Sequence, residues 1–207
     1  METGKCLRYA LYLIFHPFDG FWDIKYEKRG NMKAALILLF LGVLVYVAGR
    51  QFTGFLFNYV EPESLNLFVD VGLVLALFFL WCTANWCLTS LMDGKGSYKD
   101  IMKAAAYAMT PWILLSGLAI VLSGVFTLQE GTFYYIVQNL GYLWSAGLLF
   151  FGMMVTHEYS FWKNFVCCIM TLMGMAVIVF LILVFFSVIQ QAAAFFMILY
   201  RELSLRV

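Results

Sequence analysis

The sequence predicts an all-α, polytopic integral membrane protein: five transmembrane helices preceded by an N-terminal interfacial amphipathic segment. Three observations carry that prediction. Hydrophobic residues make up 64% of the 207-residue chain and charged residues only 12%, whereas a soluble domain carries roughly a quarter charged residues. The mean hydropathy is +0.88, more apolar surface than one aqueous core of this size can hide. The apolar residues also fall into five long runs, each near the ~20 residues that cross a hydrocarbon core about 30 Å thick. Backbone groups in lipid must bond within their own segment, which selects helices, and the short alternating segments of a barrel are missing.

Residues 1–31 are too mixed to span. Tyr9, Tyr12, Phe15, Phe18, Phe21, Trp22 and Tyr26 alternate with Lys, Arg, Asp and Glu, a composition suited to the membrane interface. Two short amphipathic elements on the cytoplasmic surface are expected, broken at HPFDG by Pro17 and Gly20. They serve as a lipid-surface anchor or as a docking edge offering Phe21 and Trp22. No small-residue cleavage site follows YALYLIF, so the segment reads as mature protein.

The five-span domain is expected over 32–189, with spans at about 32–52, 67–92, 104–128, 133–156 and 164–189. Apolar sequence continues past Gln190 and Gln191 as AAAFFMILY. Residues 190–207 are therefore expected as an extracytoplasmic tail lying at the interface. Charge sets the orientation. Ten of the thirteen Lys and Arg lie before span one, between spans two and three, or between spans four and five. The opposite side has Arg50, Arg201 and Arg206 beside Glu61, Glu63, Glu130 and Glu202. The positive-inside rule places the N-terminus in the cytoplasm and the C-terminus outside.

No catalytic, metal or cofactor set is expected. GKGSYKD at 94–100 lacks the GxxxxGK[ST] spacing and the preceding strand of a phosphate loop. Gly94 and Gly96 there more simply let the chain turn between helices, and Ser97 with Asp100 has capping-box spacing. HEYSF at 157–161 lacks the second histidine of a zinc-protease motif, Phe161 standing in its place. GxSxG is absent. Ser116, Gly117, Ser123 and Gly124 read as a small-residue packing stripe. The five cysteines include no CxxC and read as buried hydrophobes. A net charge of +1 offers no footprint for nucleic acid.

Polar residues near the spans are the remaining candidates. Arg50 and Asp70, at the outer ends of spans one and two, are expected to form an intramembrane ion pair. Asn85, Gln138 and Asn139 are expected to bond neighbouring helices. Pro111 should bend span three, with Tyr107 one turn earlier filling the space opened.

PFDGFWDIK, WCTANW (81–86), GKGSYKD (94–100) and AYAMTPW (106–112) follow one another in an order that resembles the Yip family of Ypt-interacting, five-span membrane proteins. The family's GYxxxP pattern reads AYxxxP here, with Tyr107 and Pro111 matching and Ala106 replacing the glycine. HEYSFWK is similar to bacterial members. Pro17, Phe18, Asn85, Trp86, Gly94, Gly96, Tyr107 and Pro111 are the motif positions, and Phe21, Trp22 and Trp112 candidate docking residues. Eukaryotic relatives carry a long hydrophilic N-terminal region and act with small GTPases. The short region here argues against a GTPase partner and matches the bacterial short form. The resemblance implies an accessory or scaffolding subunit in the cell membrane, in contact with lipid and with permease subunits of a carbohydrate ABC importer. A stand-alone channel or transporter and a lipid- or curvature-organising protein are the alternatives.

Overall fold

A computed structural model describes residues 3–58 and 65–204; Glu61, Glu63 and Arg206, used above for orientation, lie outside them. All the regular structure described is helical. The elements are α1 (Thr3–Phe15), α2 (Pro17–Lys25), α3 (Met32–Phe52), α4 (Leu67–Leu91), α5 (Tyr98–Ala108), α6 (Thr110–Ser123), a 3-10 turn (Leu128–Glu130), α7 (Gly131–His157) and α8 (Phe161–Ser204). Five stretches are long and apolar enough to cross a membrane: α3, α4, α5 with α6, α7, and α8.

The third crossing starts earlier and ends sooner than 104–128. Ser97 and Asp100 form a reciprocal capping box, Ser97 Oγ accepting from the Asp100 N–H at 3.3 Å, so the helix begins at Tyr98. Beyond Ser123 the backbone leaves the helix at Gly124. Within the crossing the helix breaks at Met109, two residues before Pro111. Proline cannot donate to the carbonyl of Tyr107 four residues back. The Thr110 hydroxyl takes over and donates to that oxygen at 2.7 Å. The next amide, Trp112 N–H, leaves its own helix and donates to Ser145 Oγ of α7 at 2.9 Å. Both substitutes are side chains because no water is available at this depth.

The core is centred on α5. Ile101 and every residue from Ala104 to Ala108 are buried. Four alanines around Tyr107 keep the helix thin, so α2, α3, α4 and α7 all pack against it. Glycines set some of the closest approaches. A Cβ on Gly42 would lie 2.8 Å from Met109 Cε, and one on Gly141 would lie 3.1 Å from Leu115 Cβ. The expected stripe at Gly117 and Gly124 does no such work: Gly117 has nothing within 4 Å, and Gly124 meets only the Val121 carbonyl of its own helix.

The N-terminal helices are more than an interfacial anchor. Cys6, Ala10 and Leu13 on α1, and Gly20, Phe21 and Ile24 on α2, are buried in the bundle. Tyr107 Oη donates to the Cys6 carbonyl at 3.4 Å, so the tyrosine ties α1 to the core rather than only filling the bend. Phe21 is not a docking residue for a partner. Its ring lies on α7 over Gly152, where a Cβ would come within 2.9 Å. Phe18 and Trp22 stay about half exposed.

The last helix differs from expectation. Residues 161–204 form one helix with no break at Gln190 and Gln191, so 190–204 is not a separate surface element. Only its beginning is packed, with Asn164, Cys167 and Thr171 buried; every residue described from Val179 to Arg201 is exposed.

Phe21→Ala should cost about 3–5 kcal/mol by emptying a buried aromatic site. The readout is alkylation of Cys6, which is fully buried: the rate rises steeply in the variant while Cys82, buried on α4, stays protected. Unchanged Cys6 protection would show that α2 does not hold α1 in place.

Candidate functional site

Two polar regions stand out, one at each end of the bundle. The first lies where the basic connections gather. It is built from the turn before α5, the end of α7, α4 and the start of α8. The Gly96 N–H donates to His157 Nδ1 at 3.4 Å. That contact leaves the proton on Nε2, which donates to Asn85 Oδ1 at 3.1 Å. Asn85 Nδ2 then donates to Thr171 Oγ1 at 3.2 Å, and Thr171 donates to the Cys167 carbonyl at 2.8 Å. All donors point the same way along the chain, an arrangement in which each bond polarises the next. His157, Asn85 and Thr171 are each at most 1% exposed.

The glycines of GKG belong to this region. A Cβ on Gly94 would lie 2.7–2.8 Å from His157 Nδ1, Thr89 Cβ and Tyr159 Oη. One on Gly96 would lie 2.7 Å from Thr156 Cγ2 and 2.9 Å from His157 Cε1. The turn therefore needs glycine for close approach to an imidazole, not for a phosphate. Tyr159 Oη closes it by donating to the Met92 carbonyl at 3.0 Å.

Glu158 sits just outside α7 in the left-handed conformation, φ 57°. Its carboxylate accepts from Lys95 at 2.5 Å, from Lys25 at 3.1 Å and from Tyr26 Oη. The hydrogen bond from Lys95, followed by those from Tyr26 and Lys25, lowers its pKa from 4.5 to about 2. Three separate segments, α2, the GKG turn and the α7–α8 turn, are clasped by this one side chain.

The second region lies at the other end. Arg50 in the last turn of α3 and Asp70 in the first turn of α4 form an ion pair, Nη1 to Oδ1 at 2.9 Å, with Asp70 nearly buried. Each charge complements the dipole of its helix end. Beside it, α3, α6 and α7 enclose a cavity of about 270 Å³ lined by Tyr46, Arg50, Trp112, Ser116, Gln138 and Tyr142 among others. Trp112 thus faces the interior and is half-buried rather than offered to a partner. Asn139 is exposed.

Of the other motif positions, Pro17 opens α2, Trp86 is exposed against Tyr98 with ring centroids 6.0 Å apart, and Phe18 packs on Phe151 at 4.9 Å. The structure brings Asn85, Gly94 and Gly96 together and sets Arg50, Asp70 and Trp112 apart from them. Thr171, Ser145 and the reach of Glu158 were not identified by sequence reasoning. A TP pair and an HE pair at a span end were their only local signals.

Gly94→Ala should destabilise the protein by about 1–3 kcal/mol through overpacking, whereas Gly117→Ala, which meets open space, should leave it unchanged. Thermal unfolding in mild detergent distinguishes them; equal effects would dismiss the close-approach role. Glu158 gives a pH dependence with a definite sign. Its folded pKa is depressed, so its contribution is full above about 4.5 and lost as pH falls toward about 2. The gap in midpoint between wild type and Glu158→Gln should therefore be widest near neutrality and close over that window. A gap independent of pH would refute the clasp.

No curated protein and no solved structure matches the chain. The Yip1 domain family model matches residues 11–189, from α1 to the middle of α8. That range takes in Leu13 of α1, the buried face of α2, the Pro111 break and both polar regions. The chain is a multi-pass membrane protein belonging to the Yip1 domain family.

Proposed function

We propose that this protein is a non-catalytic scaffolding subunit of the cell membrane that binds another membrane protein through α8. The carrying observation is the length and exposure of that helix. Its 44 residues extend about 66 Å at 1.5 Å per residue, against a hydrocarbon core of about 30 Å. Tilts of about 0–40° cannot absorb that excess. Apolar residues such as Phe195, Phe196, Met197 and Ile198 are uncovered by this chain, and a helix that long needs protein surface beyond what lipid provides. The basic end is assigned to the cytoplasm on the positive-inside rule, which sends the far end of α8 outward.

The partner class proposed is the membrane-embedded permease of a transport complex, a carbohydrate ABC importer being the first to test. The likeness to short bacterial members supports that choice. A stand-alone channel is less well supported: polar side chains cluster at the two ends, and between them Met109 packs tightly on Gly42.

Affinity purification at native expression in mild detergent should recover permease chains in fixed stoichiometry. Truncation after Ile189 should release them while the five spans still insert. Recovery of the intact protein as a lone monomer would defeat this reading.

A further inference from the structure

We propose that the cavity between α3, α6 and α7 is a binding site for the phosphodiester headgroup of a membrane phospholipid, reached sideways from the leaflet opposite the basic end. This inference is independent of the partner assigned to α8.

The walls carry hydrogen-bonding groups that no other described residue uses. Ser116 is only 6% exposed, and its Oγ has no partner among the described residues. Trp112 Nε1 and Arg50 Nε are likewise buried and unpartnered there. Leaving such groups dry and unbonded is costly, so a cluster of three calls for a ligand rich in acceptors. All three can donate. Arg50 spends Nη1 on Asp70 at 2.9 Å, which neutralises the pair and leaves recognition to directed donors rather than net charge. Gln138, Tyr46 and Tyr142 add further polar tips on the same walls. A phosphodiester, with four oxygens and a single charge, matches this donor set.

The geometry of access selects the lipid. The end of the cavity toward the loop after α3 is roofed. The Gly54 N–H donates to Ser123 Oγ at 2.9 Å, and Phe57 stacks on Tyr134 with centroids 4.9 Å apart. Toward the membrane centre, Met109 and Trp112 close over Gly42. Both α3 and α7 pack on α6 but not closely on one another, and Tyr142 at the α7 edge is 50% exposed. The way in is therefore the gap between two lipid-facing helices. Ser116 and Gln138 each stand seven residues from the end of their helix, about 10 Å in, a depth at which a headgroup can lodge while its acyl chains stay in the bilayer.

The test is native mass spectrometry of the delipidated full-length protein titrated with three probes: dimyristoyl phosphatidylglycerol, glycerol 3-phosphate and dimyristoyl glycerol. One molecule of the phospholipid should bind, and the other two far more weakly. Ser116→Ala and Trp112→Phe should each weaken phospholipid binding about tenfold, and Ser116→Ala should do so without lowering the thermal midpoint, since Ser116 Oγ has no partner among the described residues. Gly117→Ala, beside the site and facing open space, should change nothing. Equal binding of glycerol 3-phosphate would overturn lateral access. Equal binding of the phosphate-free glyceride would overturn headgroup recognition. Phospholipid affinity unmoved in both Ser116→Ala and Trp112→Phe would remove the site altogether, and because Ser116→Ala is the milder change it decides the matter if Trp112→Phe folds poorly.

Discussion

A polypeptide inside lipid has no water to repair a broken hydrogen bond, and this fold is arranged around one such break. Pro111 stands midway along the third crossing and takes the expected donor from the Tyr107 carbonyl. Thr110 replaces that donor from the same chain, and Ser145 of α7 receives the Trp112 amide that its own helix no longer holds. The second repair fixes α6 against α7 at a defined height. It also sets the Trp112 side chain toward the space shared with α3. Above the break, the chain is the thin alanine helix α5, wrapped by four neighbours; below it, α6 forms one wall of a cavity.

The two ends of the bundle then solve different problems. At the basic end Gly96, His157, Asn85 and Thr171 lie in sequence along a chain of hydrogen bonds that ends on the Cys167 carbonyl, and Glu158 ties the outlying segments together. Fully satisfied networks of this kind favour one arrangement of helices over others. The opposite end is less complete. Asp70 Oδ2 and Arg50 Nε of its ion pair are without partners among the described residues, as are Ser116 Oγ and Trp112 Nε1 nearby. Cross-segment hydrogen bonds gather where the chain turns at the basic face, and most of the unmet bonding capacity among the described residues lies at the opposite end. The half of α8 past Ile178 belongs to neither region and carries its apolar surface outward.

Five apolar runs, the basic connections and the cap at Ser97 were legible because each is a local property of composition or spacing. The pair of short helices parted at Pro17, the Arg50–Asp70 contact and the bend at Pro111 also follow from adjacent residues or from span ends that must face each other. Other features were not legible. The spacing of Cys6, Ala10 and Leu13 marks a buried stripe, yet nothing local says whether it faces lipid or protein. Phe21 looked like a docking residue for the same reason. Gly117 was expected to pack and Gly94 only to turn, but the first borders open space and the second a histidine ring.

Sequence alone determined that this chain crosses the membrane as five helices, which way its charges divide, and where its backbone must turn or break. Those outcomes depend on transfer from water to lipid and on backbone dihedrals, both set residue by residue. Tertiary structure decided which apolar faces meet protein, that α8 continues unbroken through Gln190 and Gln191, and that His157, Asn85 and Thr171 share one bonded chain while Ser116 and Trp112 have donors that no other described residue meets. Inside a bilayer lipid and protein are equally apolar, so hydrophobicity cannot choose between them; shape, close approach and the obligation to satisfy every buried polar group make that choice.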